Sequence, residues 1–382
     1  MIAAFFDSAD AMIVLTGMLV GASAALLGTF LVLGGRSMLT DAISHSIVFG
    51  IIVVWLLTRQ MAGPVQVIGA AAAGMLTVVL SEALARSRLV RTDAAIGLVF
   101  PALFSAGVIL IALNARNVHI HADSVLLGEI GFVWLETVTL GGLRVPVAVA
   151  TLAAVLGVNL AFVLGFWKEL KLATFDPVLA AALGFAPGLM FHALLGLTSV
   201  TAVAAFDAVG AVLFIAFVIV PPATAFLLTR RVGRMAGLAV LLALGSVAAG
   251  YALAIYWDVS IAGMMASMTG AFFLLALFFA PEQGLIARAL HHRAERAAND
   301  ARTLVAHLFT HQDTEAMDAE NTARALIEHL RWPEARARAA ILQGLDRGLV
   351  RREGRLLWLT EKGQASARAI FDPAGRAMRS GP

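Results

Sequence analysis

Apolar residues come in blocks along most of this chain, not in alternation with polar ones. Up to Pro281 the blocks run to roughly 17–23 residues, the length an α-helix needs to cross a hydrocarbon core of about 30 Å. They predict membrane spans at 12–34, 41–58, 65–85, 94–114, 145–166, 186–206, 208–229, 235–257 and 262–281. Gly and Pro are scattered through them, as is common in membrane helices. The first block lacks a basic leader and ends at "LGGRS" without a cleavage-like pattern, so it is expected to be a retained span.

Beyond Pro281 the pattern changes. "AERAANDARTLVAHLF" and "ENTARALIEHL" carry apolar residues at helical spacing. "RWPEARARAAILQGLDRG" places Pro333 at a helix start and Gly348 past its end. Two short strand-like runs then flank Glu353-Gly354, and a last helix begins at Thr360. Three helices, a hairpin and a helix is the order of a winged-helix domain. The expected fold is therefore an all-α polytopic membrane protein of about nine transmembrane helices (1–285), followed by a small cytosolic α+β domain (286–382) of winged-helix type. Roughly ninety residues is enough for such a tail to fold alone.

Composition agrees. Hydrophobic residues make up 60% and charged residues 14% of the 382, against about 25% charged in soluble domains. Mean hydropathy is +0.87. Cysteine is absent, which excludes disulfides, thiolate metal sites and cysteine nucleophiles. Lys and Arg set the orientation. With the N-terminus outside, the inner loops carry Arg36, Arg86, Arg88, Arg91, Lys168, Lys171, Arg230, Arg231 and Arg234. The outer loops carry Arg59, Arg116 and Arg144. Nine against three puts the C-terminal tail in the cytosol. The tail from Arg288 holds sixteen basic and twelve acidic residues, a modest positive excess.

Candidate chemistry begins where the second span breaks the apolar rule. Asp41 and His45 stand four residues apart on one helix face, with Ser37 and Ser44 on or beside it. A charged residue within a membrane helix costs about 2.5–3.5 kcal/mol on insertion scales and usually marks a path or bundle interior. Carboxylate with imidazole suits a borderline divalent cation. The plainer reading makes Asp41 an N-cap in water beside Arg36. "TFDPVLAAALGF" reads as a six-residue helix capped by Asp176, opened by Pro177 and closed by Gly184, too short to cross a membrane. The Pro221-Pro222 pair is expected to break the hydrogen-bond ladder inside the seventh span, a candidate hinge. His192, in an apolar stretch, reads as a packed or interfacial histidine. No G-x-x-x-x-G-K-[ST] phosphate loop and no H-E-x-x-H occurs, so neither a nucleotidase nor a metalloprotease is indicated.

Five segments in order resemble the membrane permeases of ABC importers for zinc, manganese and iron. They are "RSMLTDAISHSIVFG", "TDAAIGLVFPALFSAGVIL", "HADSVLLGEI", "KELKLATFDPVLAAALGF" and "VGAVLFIAFVIVPPATAFLLT", within roughly residues 10–290. The resemblance implies a bacterial inner-membrane permease, with the metal path carried by Asp41 and His45. It implies a coupling helix of Phe175, Asp176, Pro177, Leu179, Ala180, Ala181, Leu183 and Gly184 that docks a separate ABC ATPase subunit. An external metal-binding protein and a second permease, identical or paired, are the other implied partners. The metal passes as cargo and no cofactor is bound permanently. His119, His121 and Asp123 in the long outer loop are candidate metal contacts beside a plain solvated-loop reading.

The tail is similar to the winged-helix part of metal-dependent repressors, on "GLVRREGRLLWLTEKG". That places Arg336, Arg338 and Arg347 on a recognition helix and Arg351, Arg352 and Arg355 on the wing, as candidate nucleic-acid contacts. Protein contacts are the favoured use of the tail. The competing functions are a membrane-tethered, metal-responsive transcription regulator and a proton-driven transporter that needs no ATPase.

Overall fold

A computed structural model of the chain describes residues 8–59, 64–114, 128, 130–140, 143–315 and 317–371. It divides into two compact units, Met1–Gly284 and Leu285–Pro382. The first unit opens with four long helices, α1 (Ala9–Leu33), α2 (Met38–Thr58), α3 (Pro64–Arg86) and α4 (Thr92–Asn114). A 3₁₀ turn (Ile130–Phe132) and the antiparallel hairpin β1 (Thr137–Leu140) with β2 (Leu143–Pro146) lead into α5 (Val147–Gly165). Two short helices, α6 (Trp167–Phe175) and α7 (Pro177–Ala182), precede the long α8 (Pro187–Leu228), α9 (Val232–Trp257) and α10 (Ile261–Phe279).

Among the described residues nine segments are long and apolar enough to cross a membrane. Two of them, Pro187–Phe206 and Ala208–Leu228, lie within α8. Every boundary falls within three residues of the span expected from the sequence. The hairpin before α5 has no counterpart among the expected elements, and its second strand takes in Val145 and Pro146, the expected start of the fifth span.

α8 is interrupted close to the expected boundary between the sixth and seventh spans, and not at the two prolines. Its backbone leaves helical geometry at Gly210, with φ 76° and ψ 167°, and stays helical through Pro221 and Pro222. Only glycine adopts such a conformation without strain, whereas proline's fixed φ is itself helical and costs a hydrogen bond rather than the fold of the turn. The two prolines relieve the carbonyls of Phe217 and Val218 of their usual donors. Gly28 of α1 lies against the second of these: a Cβ there would sit 2.0 Å from the Val218 oxygen. That close approach fits a Cα–H···O contact. Gly128 in turn seats against the kink, where a Cβ would fall 2.3 Å from the Gly210 nitrogen.

The core of this unit centres on α1 and α8, with Phe30, Phe214 and Phe217 almost fully buried. Helices meet through small residues. At Gly50 of α2 a Cβ would lie 2.4 Å from the Gly69 oxygen of α3, the packing expected where lipid removes the hydrophobic drive between helices.

The second unit comprises α11 (Leu285–His311), α12 (Met317–Glu320), α13 (Ala323–His329), α14 (Glu334–Asp346), the antiparallel hairpin β3 (Val350–Glu353) with β4 (Leu356–Leu359), and α15 (Glu361–Phe371). Thr322 caps α13, its Oγ1 accepting from the Ala325 N–H at 3.2 Å. Gly348 follows α14 with φ 64°, and Gly354 turns the hairpin with φ 63°. The core is mainly aliphatic: Leu304, Val305, Leu308, Leu326, Ile341 and Leu357 are buried together, with Trp332 among them.

Candidate metal path and coupling segment

α1 ends in a glycine-closed motif. The Arg36 N–H reaches the Leu31 carbonyl at 2.9 Å, the Gly35 N–H reaches Val32 at 3.1 Å, and Gly35 takes φ 65°. This is the Schellman pattern, and it turns the chain directly into α2. Ser37 holds the N-cap position, so Asp41 is not the cap; it lies in the first turn of α2. There the positive end of the helix dipole favours a carboxylate.

His45 stands one turn further on, its Nε2 3.5 Å from Asp41 Oδ1. Two ligands of one zinc-like ion, each at about 2.1 Å, are separated by about 3.0–3.4 Å. The pair is therefore close to chelating distance. The two side chains are 37% and 35% exposed, leaving room on one side for an ion and further ligands. On the other side α4 walls them in. Phe100 stacks on the His45 ring at 5.7 Å and Phe104 meets it edge-on at 6.1 Å. Ser44 turns back to donate to the Asp41 carbonyl at 2.6 Å, so its hydroxyl serves the helix.

The short helix α7 forms as its sequence suggests. Asp176 Oδ1 accepts from the Leu179 N–H at 2.9 Å and Pro177 is the first helical residue. Gly184 closes it with φ 85°, while the Phe185 N–H returns to the Ala180 carbonyl at 3.0 Å. The outer surface of α7 and its flanking residues is apolar: Phe175 at the end of α6, Val178 and Leu179 within α7, and Leu183 just past it are all exposed, Val178 by 78%. Ala181 faces out as well, whereas Ala180 is fully buried and packs inward.

A third cluster was not legible beforehand. Glu82, near the end of α3, has Arg36 Nη1 at 3.6 Å, Arg86 Nη2 at 3.4 Å and His192 Nε2 at 3.4 Å. Arg36 also lies 3.9 Å over the Phe191 ring. His192 is thus tied to an acid as well as to the Gly188 carbonyl, 2.7 Å from its Nδ1. A cavity of about 430 Å³ is lined by Arg36, Glu82, Arg86 and His192 together with Pro177 of α7. Asp41 and His45 do not line it. The only hint in the sequence was an acid, four residues before an arginine, at the end of an apolar run.

His119, His121 and Asp123 lie outside the described residues. In the second unit, three of the candidate nucleic-acid arginines are held by acids. Arg336 grips Asp300 through two bonds, at 2.6 and 3.0 Å. Arg338 pairs with Glu334 at 2.5 Å and Arg351 with Glu353 at 3.2 Å. Arg352 donates to the Gly354 carbonyl at 3.1 Å. Arg347 follows α14 and Arg355 lies in the hairpin turn, both exposed.

Spanning helices that bury small residues against each other, carry a polar pair on one of them and present a capped apolar helix between two others make a membrane permease. Residues 9–280 match the ABC 3 transport family, and the chain belongs to it. It is 44% identical over 360 residues to the zinc transport system membrane protein TroD of Treponema pallidum, covering 94% of this chain and 98% of that protein. It is 46% identical over 294 residues to the manganese transport system membrane protein MntD of Bacillus subtilis, covering 76% and 99%. Among solved structures, PsaBC from Streptococcus pneumoniae in complex with Fab matches with a TM-score of 0.61 at 25% identity, over 74% of this chain and 98% of that one.

Proposed function

We propose that this chain is the permease subunit of an ATP-driven importer of manganese, zinc or ferrous iron in a bacterial inner membrane. Asp41 and His45 are its transient ligands. The observation that carries this reading is the carboxylate and imidazole facing each other at 3.5 Å on a membrane-length helix. It is supported by relatives whose names specify zinc and manganese transport. Two protein ligands hold an ion weakly enough to release it, as conduction requires. A second permease, identical or paired, brings its own ligands to the open side.

With the N-terminus outside, α7, Glu82 and His192 all lie at the cytosolic end, and the Gly128–Gly210 contact lies at the outer end. The apolar face of α7 then docks a separate ATPase subunit. The cluster around Glu82 joins the α1–α2 turn, α3 and α8 beside it, so movement of α7 reaches the helix that bears Asp41. An external binding protein delivers the ion to the outer face, and the two halves of the assembly rock to expose it to one side at a time. The second unit serves protein contacts as a cytosolic domain of winged-helix type, since three of its six candidate nucleic-acid arginines are paired with acids and its positive excess is modest.

The test is uptake of manganese, zinc and ferrous iron by proteoliposomes containing the permease with its ATPase. Asp41→Ala and His45→Ala each abolish uptake while leaving the protein monodisperse. Transport at the parent rate by both variants would overturn the assignment.

A further inference from the structure

The second unit holds a cluster of metal-ligating side chains that the transport path does not use. His307 and His311 stand one turn apart on α11, their rings 4.9 Å apart. Glu320, the last residue of α12, faces them, and the ligand atoms of these three residues all lie within 4.8 Å of one another. His329, at the end of α13, contacts the Glu320 carboxylate through Nδ1. His307 is 8% exposed, with its Nε2 3.1 Å from the Glu320 carbonyl and 4.0 Å from its carboxylate. Three imidazoles thus converge on one carboxylate.

From these residues we infer that His307, His311, Glu320 and His329 form a binding site for a borderline divalent transition-metal ion, zinc in preference to manganese. Glu320 already offers its carbonyl to His307 and its carboxylate to His329, and its Oε2 is sealed from solvent. A cation at this point draws His311 onto the same centre as the other two rings.

The geometry is within reach. Ligands of a tetrahedral zinc are about 3.3 Å apart, so closing from 4.8 Å requires each side chain to move by about 1 Å or less. Three nitrogens and one oxygen suit zinc, iron or cobalt, while manganese favours oxygen-rich sets. The ligands come from α11, α12 and α13, so an ion joins two short helices to a long one. Ion binding therefore stabilises the 317–329 segment in proportion to the logarithm of metal concentration. The site is independent of Asp41 and His45, and the transport reading stands or falls without it.

The experiment uses the full chain in detergent, purified on a histidine-free tag and carrying Asp41→Ala and His45→Ala to silence the path. Equilibrium dialysis against zinc, with a cobalt titration read by its four-coordinate visible bands, measures binding. Hydrogen exchange then reports residues 317–329. The expected result is a zinc ion whose affinity falls at least roughly tenfold on adding His311→Ala and His329→Ala, with zinc-dependent protection of 317–329 lost in parallel. Glu320→Gln, which keeps the shape of the side chain, gives the same loss should the double variant perturb the fold. Unchanged zinc affinity in both, or zinc binding without any protection of 317–329, would overturn the proposal.

Discussion

In the first unit α1 lies so close to α8 that a single methyl group on Gly28 would fall 2.0 Å from the Val218 carbonyl oxygen. In the second, Leu304, Val305 and Leu308 of α11 fill the space beneath Leu326 and Ile341. The spanning helices of the first unit meet largely through such close backbone approaches, while the second is filled mainly by aliphatic side chains, with one comparable approach where a Cβ on Gly363 would lie 2.0 Å from the Leu349 carbonyl oxygen. Lipid tails are as apolar as leucine, so bringing membrane helices together gains little from hydrophobicity and depends on close contact between backbones. The tail has the charge content of a water-soluble domain, where removal of aliphatic surface from water supplies the drive.

The largest effect expected from this contrast is at Gly28. Gly28→Ala adds a methyl against backbone that cannot turn aside, at a cost of roughly 3 kcal/mol or more. Size-exclusion profiles and melting of the detergent-solubilised protein read it directly, and a parental melting temperature would break the comparison. Leu304→Ala tests the opposite case. Leaving a cavity in the tail core costs about 2–5 kcal/mol. Hydrogen exchange should rise across α11 and α14 while α1 and α8 keep their protection; equal loosening of both units would show that they do not obey separate rules. The smallest effect is at a surface helix that belongs to neither core. Asp176→Ala removes the α7 cap, worth about 1 kcal/mol locally, and lowers metal-coupled ATP hydrolysis by the assembled complex without shifting global melting. Full coupling in that variant would detach the cap from function.

The cap of α7 was legible because Asp-Pro at one end and Gly at the other act on their own neighbours. Both halves of its closing motif appear as the residue types suggest. Asp41 and His45 were legible for a similar reason: four residues of helix bring them together whatever else the chain does. Ala180 shows the limit, since the same short helix has a buried side that only its packing reveals. The bend in α8 was legible to within a few residues, as the boundary between the spans at 186–206 and 208–229; its seat at Gly210, beneath Gly128 of a distant loop, was not.

The length and number of the spans, the capped surface helix, the polar pair on α2 and the element order of the tail are properties of the sequence alone. Each arises from a requirement that acts over one or two helical turns or over the thickness of a bilayer. The Glu82–His192 contact, the metal-ligating cluster that joins α11 to α13 and the seating of Gly128 against Gly210 were decided by the tertiary structure. They join residues far apart along the chain, and no local periodicity records which distant side chain will arrive.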